Sequence, residues 1–126
     1  MRKLAMVLLL ISGPACAGWN SVAEDETGTF YADPAAAVKN GNVVRMSSLL
    51  DYKDFQRMVE VGYFSQKTEV EYDCAGHRAR ALNMSLHAEH MGAGKTVYAD
   101  ESSHDWEPIS AGTVGENLWN LACRRN

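Results

Sequence analysis

Lys67-Thr68-Glu69-Val70-Glu71-Tyr72-Asp73-Cys74 alternates without a break. Thr68, Val70, Tyr72 and Cys74 fall on one side, and Lys67, Glu69, Glu71 and Asp73 on the other. A period of two sends successive side chains to opposite faces of a pleated strand. One side is β-branched, aromatic and thiol, which suits a core; the other is wholly charged, which suits water. The stretch predicts a strand over about residues 65–75 of an antiparallel sheet with one solvated face. Its last inward residue is a cysteine in need of a partner.

Toward the C-terminus, Gly76 marks a turn and residues 77–88 alternate again. Arg78, Arg80, Leu82, Met84 and Leu86 share one side and read as inward; Ala79, Ala81, Asn83, Ser85 and His87 share the other. The two arginines are expected to pair with acids of the neighbouring strand, such as Asp73, or else to form a ligand-facing basic patch. Met91-Gly92-Ala93-Gly94 makes the next turn, 95–99 a last strand, 100–105 a polar loop and Trp106-Glu107-Pro108-Ile109 an extended anchor. The period then changes. Thr113-Val114-Gly115-Glu116 has the form of a capping box, and Val114, Leu118, Leu121 and Ala122 line one face of a helix over about 114–124. That helix would cover one face of the sheet and bring Cys123 to Cys74.

Toward the N-terminus, 18–23 and 29–33 read as two strands joined by the acidic turn Glu24-Asp25-Glu26-Thr27-Gly28. Pro34 stops the second, and 35–38 fits one helical turn before Asn40-Gly41. Residues 42–52 form a long strand in which neither side is cleanly polar, so part of it should be covered on both faces. Residues 53–63 read as a loose helical turn or an ordered loop. The fold class is α+β: an antiparallel sheet of about six strands closed by one C-terminal helix.

Residues 1–17 carry a secretory signal peptide: Met1-Arg2-Lys3, an apolar run from Leu4 to Ile11, and Ala15-Cys16-Ala17 as an A-x-A site. Cleavage after Ala17 leaves a single domain, 18–126. The alternative is a lipid on Cys16, although Gly13 and Pro14 fit a lipoprotein signal poorly. The apolar run is too short to span a bilayer, which takes about 20 residues. After cleavage, ten basic residues face sixteen acidic ones, a net charge of −6. That balance argues against general nucleic-acid binding, which needs a basic footprint. Two cysteines remain, Cys74 and Cys123, and in an oxidising compartment they most simply form one disulfide; two separate buried thiols are the alternative.

Sites of chemistry are sparse. His87, His90 and His104 match no zinc spacing, and His87 and His90 would point to opposite faces of a strand. Gly92-Ala93-Gly94-Lys95-Thr96 lacks the first glycine of a phosphate loop. Ser102, Ser103, His104 and Asp105 cluster in sequence without a nucleophile elbow. No cofactor, metal or catalysis is implied. Phe55 and Tyr63-Phe64 stand out as aromatics in the irregular segment, and with Lys53, Arg57 and Lys67 they define a candidate protein-binding surface or homodimer contact.

The ordered set Trp19, Tyr31-Ala32-Asp33, Gly41-Asn42-Val43-Val44, Leu50-Asp51-Tyr52-Lys53, Ser65-Gln66-Lys67, Glu71-Tyr72-Asp73-Cys74, Arg78-Ala79-Arg80, Met91-Gly92-Ala93-Gly94, Trp106-Glu107-Pro108-Ile109 and 118–123 resembles the surface-adhesin protein E-like family of Gram-negative bacteria. The resemblance covers nearly all of 18–126. It implies a small exported domain with a sheet, a C-terminal helix and a cysteine pair, which binds host extracellular-matrix or serum proteins without catalysis. Two departures stand beside it: a signal that reads as cleaved rather than lipidated, and a small Ser47 where the family pattern carries an aromatic. The second functional reading is a soluble periplasmic protein of envelope maintenance or small-ligand binding, with no host partner.

Overall fold

A computed structural model describes residues 18–124; the expected signal peptide and Cys16 lie outside the described residues. Eight strands form one antiparallel sheet: β1 (Asn20–Glu24), β2 (Gly28–Ala32), β3 (Val38–Asn40), β4 (Val43–Met58), β5 (Val61–Asp73), β6 (Arg78–His87), β7 (Thr96–Asp100) and β8 (Glu107–Pro108). One helix, α1 (Val114–Arg124), follows. The main path runs β1-β2-β4-β5-β6-β7, six strands, with β3 added to β4 and β8 added to β6. The outer edge of β4 is thus shared: β2 pairs with its Ser48–Tyr52 stretch and β3 with Val43–Arg45. Between them Pro34–Ala36 makes one 3-10 turn, a residue earlier than the expected helical turn, and Val38 has joined a strand.

The alternating stretch lies in β5, as its period requires. Its apolar side meets α1. Val44, Met46 and Tyr72 pack with Ala32 and the helix residue Ala122, each no more than 2% exposed. Val70, Leu118, Trp119 and Leu121 close around them. The helix begins on its capping box: Thr113 Oγ1 accepts from the Glu116 N–H (3.2 Å), while the Glu116 carboxylate reaches back to the Gly112 N–H (2.9 Å). At its other end Cys123 is bonded to Cys74, 49 residues away in sequence. Trp119 Nε1 donates to the Asp73 carbonyl (3.1 Å), and its ring stacks on His77 at 4.4 Å.

The opposite face is charged. Arg45 pairs with Glu69 (3.3 Å), Arg80 with Glu71 (2.9 Å) and Arg78 with Asp73 (2.8 Å). The arginines therefore find the acids expected of them, but they do not point inward. Between β5 and β6 the register slips: Glu69 faces Asn83, yet Val70 faces Ala81. One extra residue on β6, Leu82, inverts the pattern, since a bulge swaps the faces on either side of it. Arg78 and Arg80 below the bulge thus share the charged face with Asn83, Ser85 and His87 above it. The double-sided covering expected for the long strand is also present. Leu49, on the charged side of β4, is 1% exposed, and a Cβ built on Gly92 would lie 3.6 Å from its Cδ1.

Candidate protein-binding surface

Residues 53–63 are neither a helical turn nor a loop; 53–58 and 61–63 are strand, joined by the turn Val59-Glu60. β4 leaves β2 after Tyr52, where the Lys53 N–H donates to the Thr27 carbonyl (3.0 Å), and continues to Met58. Pairing with β5 jumps from Asp51–Ser65 to Gln56–Tyr63. Four residues, Tyr52 to Phe55, therefore bulge opposite Phe64 alone. Beyond the bulge only β4 and β5 remain paired, as a two-stranded ribbon ending in the two-residue turn Val59-Glu60 between Met58 and Val61. Neither period survives in residues 53–63 because the bulge interrupts the alternation.

The ribbon carries the aromatics that the sequence marks. The Phe55 and Phe64 rings meet edge-on at 5.4 Å, Phe64 lies 4.3 Å from the His90 ring, and Tyr52 meets Tyr63 at 5.6 Å. Arg57 Cζ sits 5.8 Å from the Phe55 ring, within cation–π range. Phe55 lies over the backbone of Gly62: a Cβ there would fall 2.0 Å from Phe55 Cζ. This close approach is what the glycine permits. Phe55 remains 53% exposed and Val59, at the tip, 85% exposed. Val59 also holds φ at 54°, an uncommon conformation for a β-branched residue.

The loop between β6 and β7 braces the ribbon's base. Ser65, fully buried, donates to the Glu89 carbonyl (2.6 Å) and accepts from the Gly92 N–H (2.8 Å). Its strand partner Asp51 accepts from the Met91 N–H (2.7 Å) and faces His90 Nδ1 at 3.1 Å. These contacts hold the 3-10 turn His90–Gly92 and set the His90 ring against Phe64.

Phe55, Arg57 and Phe64 are thus brought together. Lys53 flanks them and reaches Glu24 on β1 at 3.8 Å. Lys67 is elsewhere, on the charged face, its stem against Gly92. Sequence reasoning missed Val59, His90 and Met91. No local pattern could place a loop residue some 40 positions away against Asp51.

Several other titratable groups are internally committed. Arg78 and Arg80 lie 4.8 and 4.6 Å from the Trp106 ring, and the Arg78 hydrogen bond holds the Asp73 carboxyl below its usual range. His87 is buried between Ser85 (2.8 Å) and Thr96 (3.3 Å). Desolvation, and then the Lys67 charge, push its pKa below the ordinary histidine value. A depressed histidine pKa means that the unfolded chain takes up the proton first, so its stabilising contribution is whole above the ordinary value of about 6.5. It is lost as pH falls through the folded value. Urea midpoints should therefore drop from neutral to mildly acid pH, and less steeply in His87→Asn; parallel profiles for the two proteins would refute the assignment. Among the described residues no three His, Cys, Asp or Glu side chains gather as a metal site, and no helix is long and apolar enough to cross a membrane.

The profile of the surface-adhesin protein E family matches residues 19–124. No curated protein matches the chain. Among solved structures, that of Haemophilus influenzae protein E superposes with a TM-score of 0.71 at 12% identity, over 93% of this chain and 92% of that one. A second crystal form of the same protein gives 0.72 at 13% identity, over 95% and 98%. At such identity the likeness is one of fold.

Proposed function

The chain belongs to the surface-adhesin protein E family, and on that footing we propose that it is an exported, non-catalytic binding protein of the cell envelope that attaches to host matrix or serum proteins. The binding surface is the ribbon of β4 and β5. The observation that carries this reading is the exposed cluster of Phe55 and Val59 with Arg57, projecting beyond the sheet and braced from beneath by Phe64 and His90. Aromatic residues and arginine are the types enriched at interface centres, and a few of them carry most of the binding energy. Strained backbone at Val59 fits the same role, since strain collects where a side chain must be displayed. Lys53 serves as a rim charge.

Phe55→Ala with Phe64→Ala should weaken binding to immobilised matrix and serum proteins at least tenfold, about 1.4 kcal/mol, measured by surface plasmon resonance. Gly62→Ala keeps both rings but evicts Phe55 from its seat, and should weaken binding in the same direction. Unchanged binding in both variants would sink the proposal. A dimer-to-monomer change with host binding intact would assign the ribbon to a homodimer contact instead.

One observation favours the second reading, a soluble periplasmic protein with no host partner: the A-x-A ending Ala15-Cys16-Ala17. Intact mass from native cells separates the two. A chain starting at Gly18 in the periplasmic fraction supports the soluble protein; a lipidated Cys16 supports display at the surface.

A further inference from the structure

On the charged face, away from both α1 and the ribbon, lies a cavity of about 270 Å³. Trp19, just before β1, and Asp33, just after β2, form one wall; Ser47 of β4 with Lys67 and Glu69 of β5 form the floor; Asn83 and Ser85 of β6 close it. Three strands, β4, β5 and β6, supply five of these residues, so the floor of the site is preformed. Its volume lies just below the ~300–1,000 Å³ of drug-sized ligand pockets, which suits one small ring.

The polar groups that no other side chain holds in this cavity point to its ligand. Glu69 is held by Arg45 and by the Ser47 hydroxyl, and the Ser85 hydroxyl is bonded to His87. The Asp33 carboxylate, the Lys67 ammonium and the Asn83 amide have no side-chain hydrogen-bond partner among the described residues. One accepts only, one donates only, and one does both. A compact anion would meet Asp33 and Glu69, and a cation would meet Lys67. An apolar ligand would strand all three polar groups at a cost. A ring of hydroxyls avoids each conflict, because every hydroxyl both donates and accepts. The indole of Trp19 adds an apolar body with an N–H at its edge, which suits the C–H surface of such a ring.

We propose that this cavity is a carbohydrate-binding site for a single neutral pyranose residue, recognised by Asp33, Lys67 and Asn83 beside Trp19. Titration of the 15N-labelled protein with glucose, galactose, mannose and N-acetylglucosamine tests it, with glucuronate as the anionic control. At least one neutral sugar should give saturable shifts at the Trp19 indole N–H and the Asn83 side-chain amide. Asp33→Asn and Asn83→Ala should each weaken that binding about tenfold with spectra otherwise superimposable, while Phe55→Ala leaves it unchanged. Absence of saturable shifts with every neutral sugar overturns the assignment. So does binding that is indifferent to both substitutions, or glucuronate bound more tightly than any neutral sugar. The ribbon proposal stands or falls separately, since no ribbon residue lines this cavity.

Discussion

Replacing Cys74 and Cys123 together by alanine, or reducing their bridge, is expected to cost about 4 kcal/mol of folding stability. The chain-entropy relation gives this figure for a cross-link spanning 49 residues. Against a total of ~5–15 kcal/mol for a small domain, that is a large share. The physical reason is specific to this architecture. α1 has 11 residues, and a helix of that length is marginal in water on its own. It persists because its apolar face is held against β4 and β5. The bridge ties the helix end to the end of β5; without it, the Trp119–Asp73 hydrogen bond, the His77 stack and the Ala122 contact must hold the helix alone. Urea denaturation with and without reductant measures the loss. Hydrogen exchange should show the amides of 114–124 losing protection before those of β4 and β5. Coincident midpoints for the oxidised and reduced protein would overturn the prediction.

Truncating the core beneath that helix is the second large effect. Tyr72→Ala is expected to destabilise by ~3–5 kcal/mol, the range for removing a buried aromatic ring. Tyr72 is 2% exposed and sits among Val44, Met46 and Ala122, so strand and helix both lose contacts when the ring goes. Tyr72→Phe should cost less than ~1 kcal/mol, because the hydroxyl makes no hydrogen bond among the described residues. Burial holds the Tyr72 phenol well above its ordinary pKa. A raised phenol pKa contributes stability below about pH 10 that is lost as pH rises further, so wild type should destabilise more steeply than Tyr72→Phe in alkali. Equal midpoints for Tyr72→Ala and wild type would show that the core lies elsewhere.

The strand of 67–74 was legible in the residues alone, because one unbroken alternation states which side is buried. So was the helix of 114–124, whose start is written in the capping box and whose inner face is written in the 3.6 period. The Cys74–Cys123 bridge was expected from the sequence for an exported chain, and the structure forms it. The strand and the helix rest on neighbours in the chain, and local chemistry is enough to read them. The bulge at Leu82 was invisible, since alternation continues through it while the faces exchange; only pairing with β5 shows that Arg78 and Arg80 point to solvent. The four-residue bulge at Tyr52 to Phe55 likewise concealed the ribbon, and with it the meeting of Phe55, Phe64 and His90. The cavity walled by Trp19, Asp33, Lys67 and Asn83 draws on residues far apart in the chain. Register and long-range packing place such groups, and a local period reports a side chain's face only while the register behind it is unbroken.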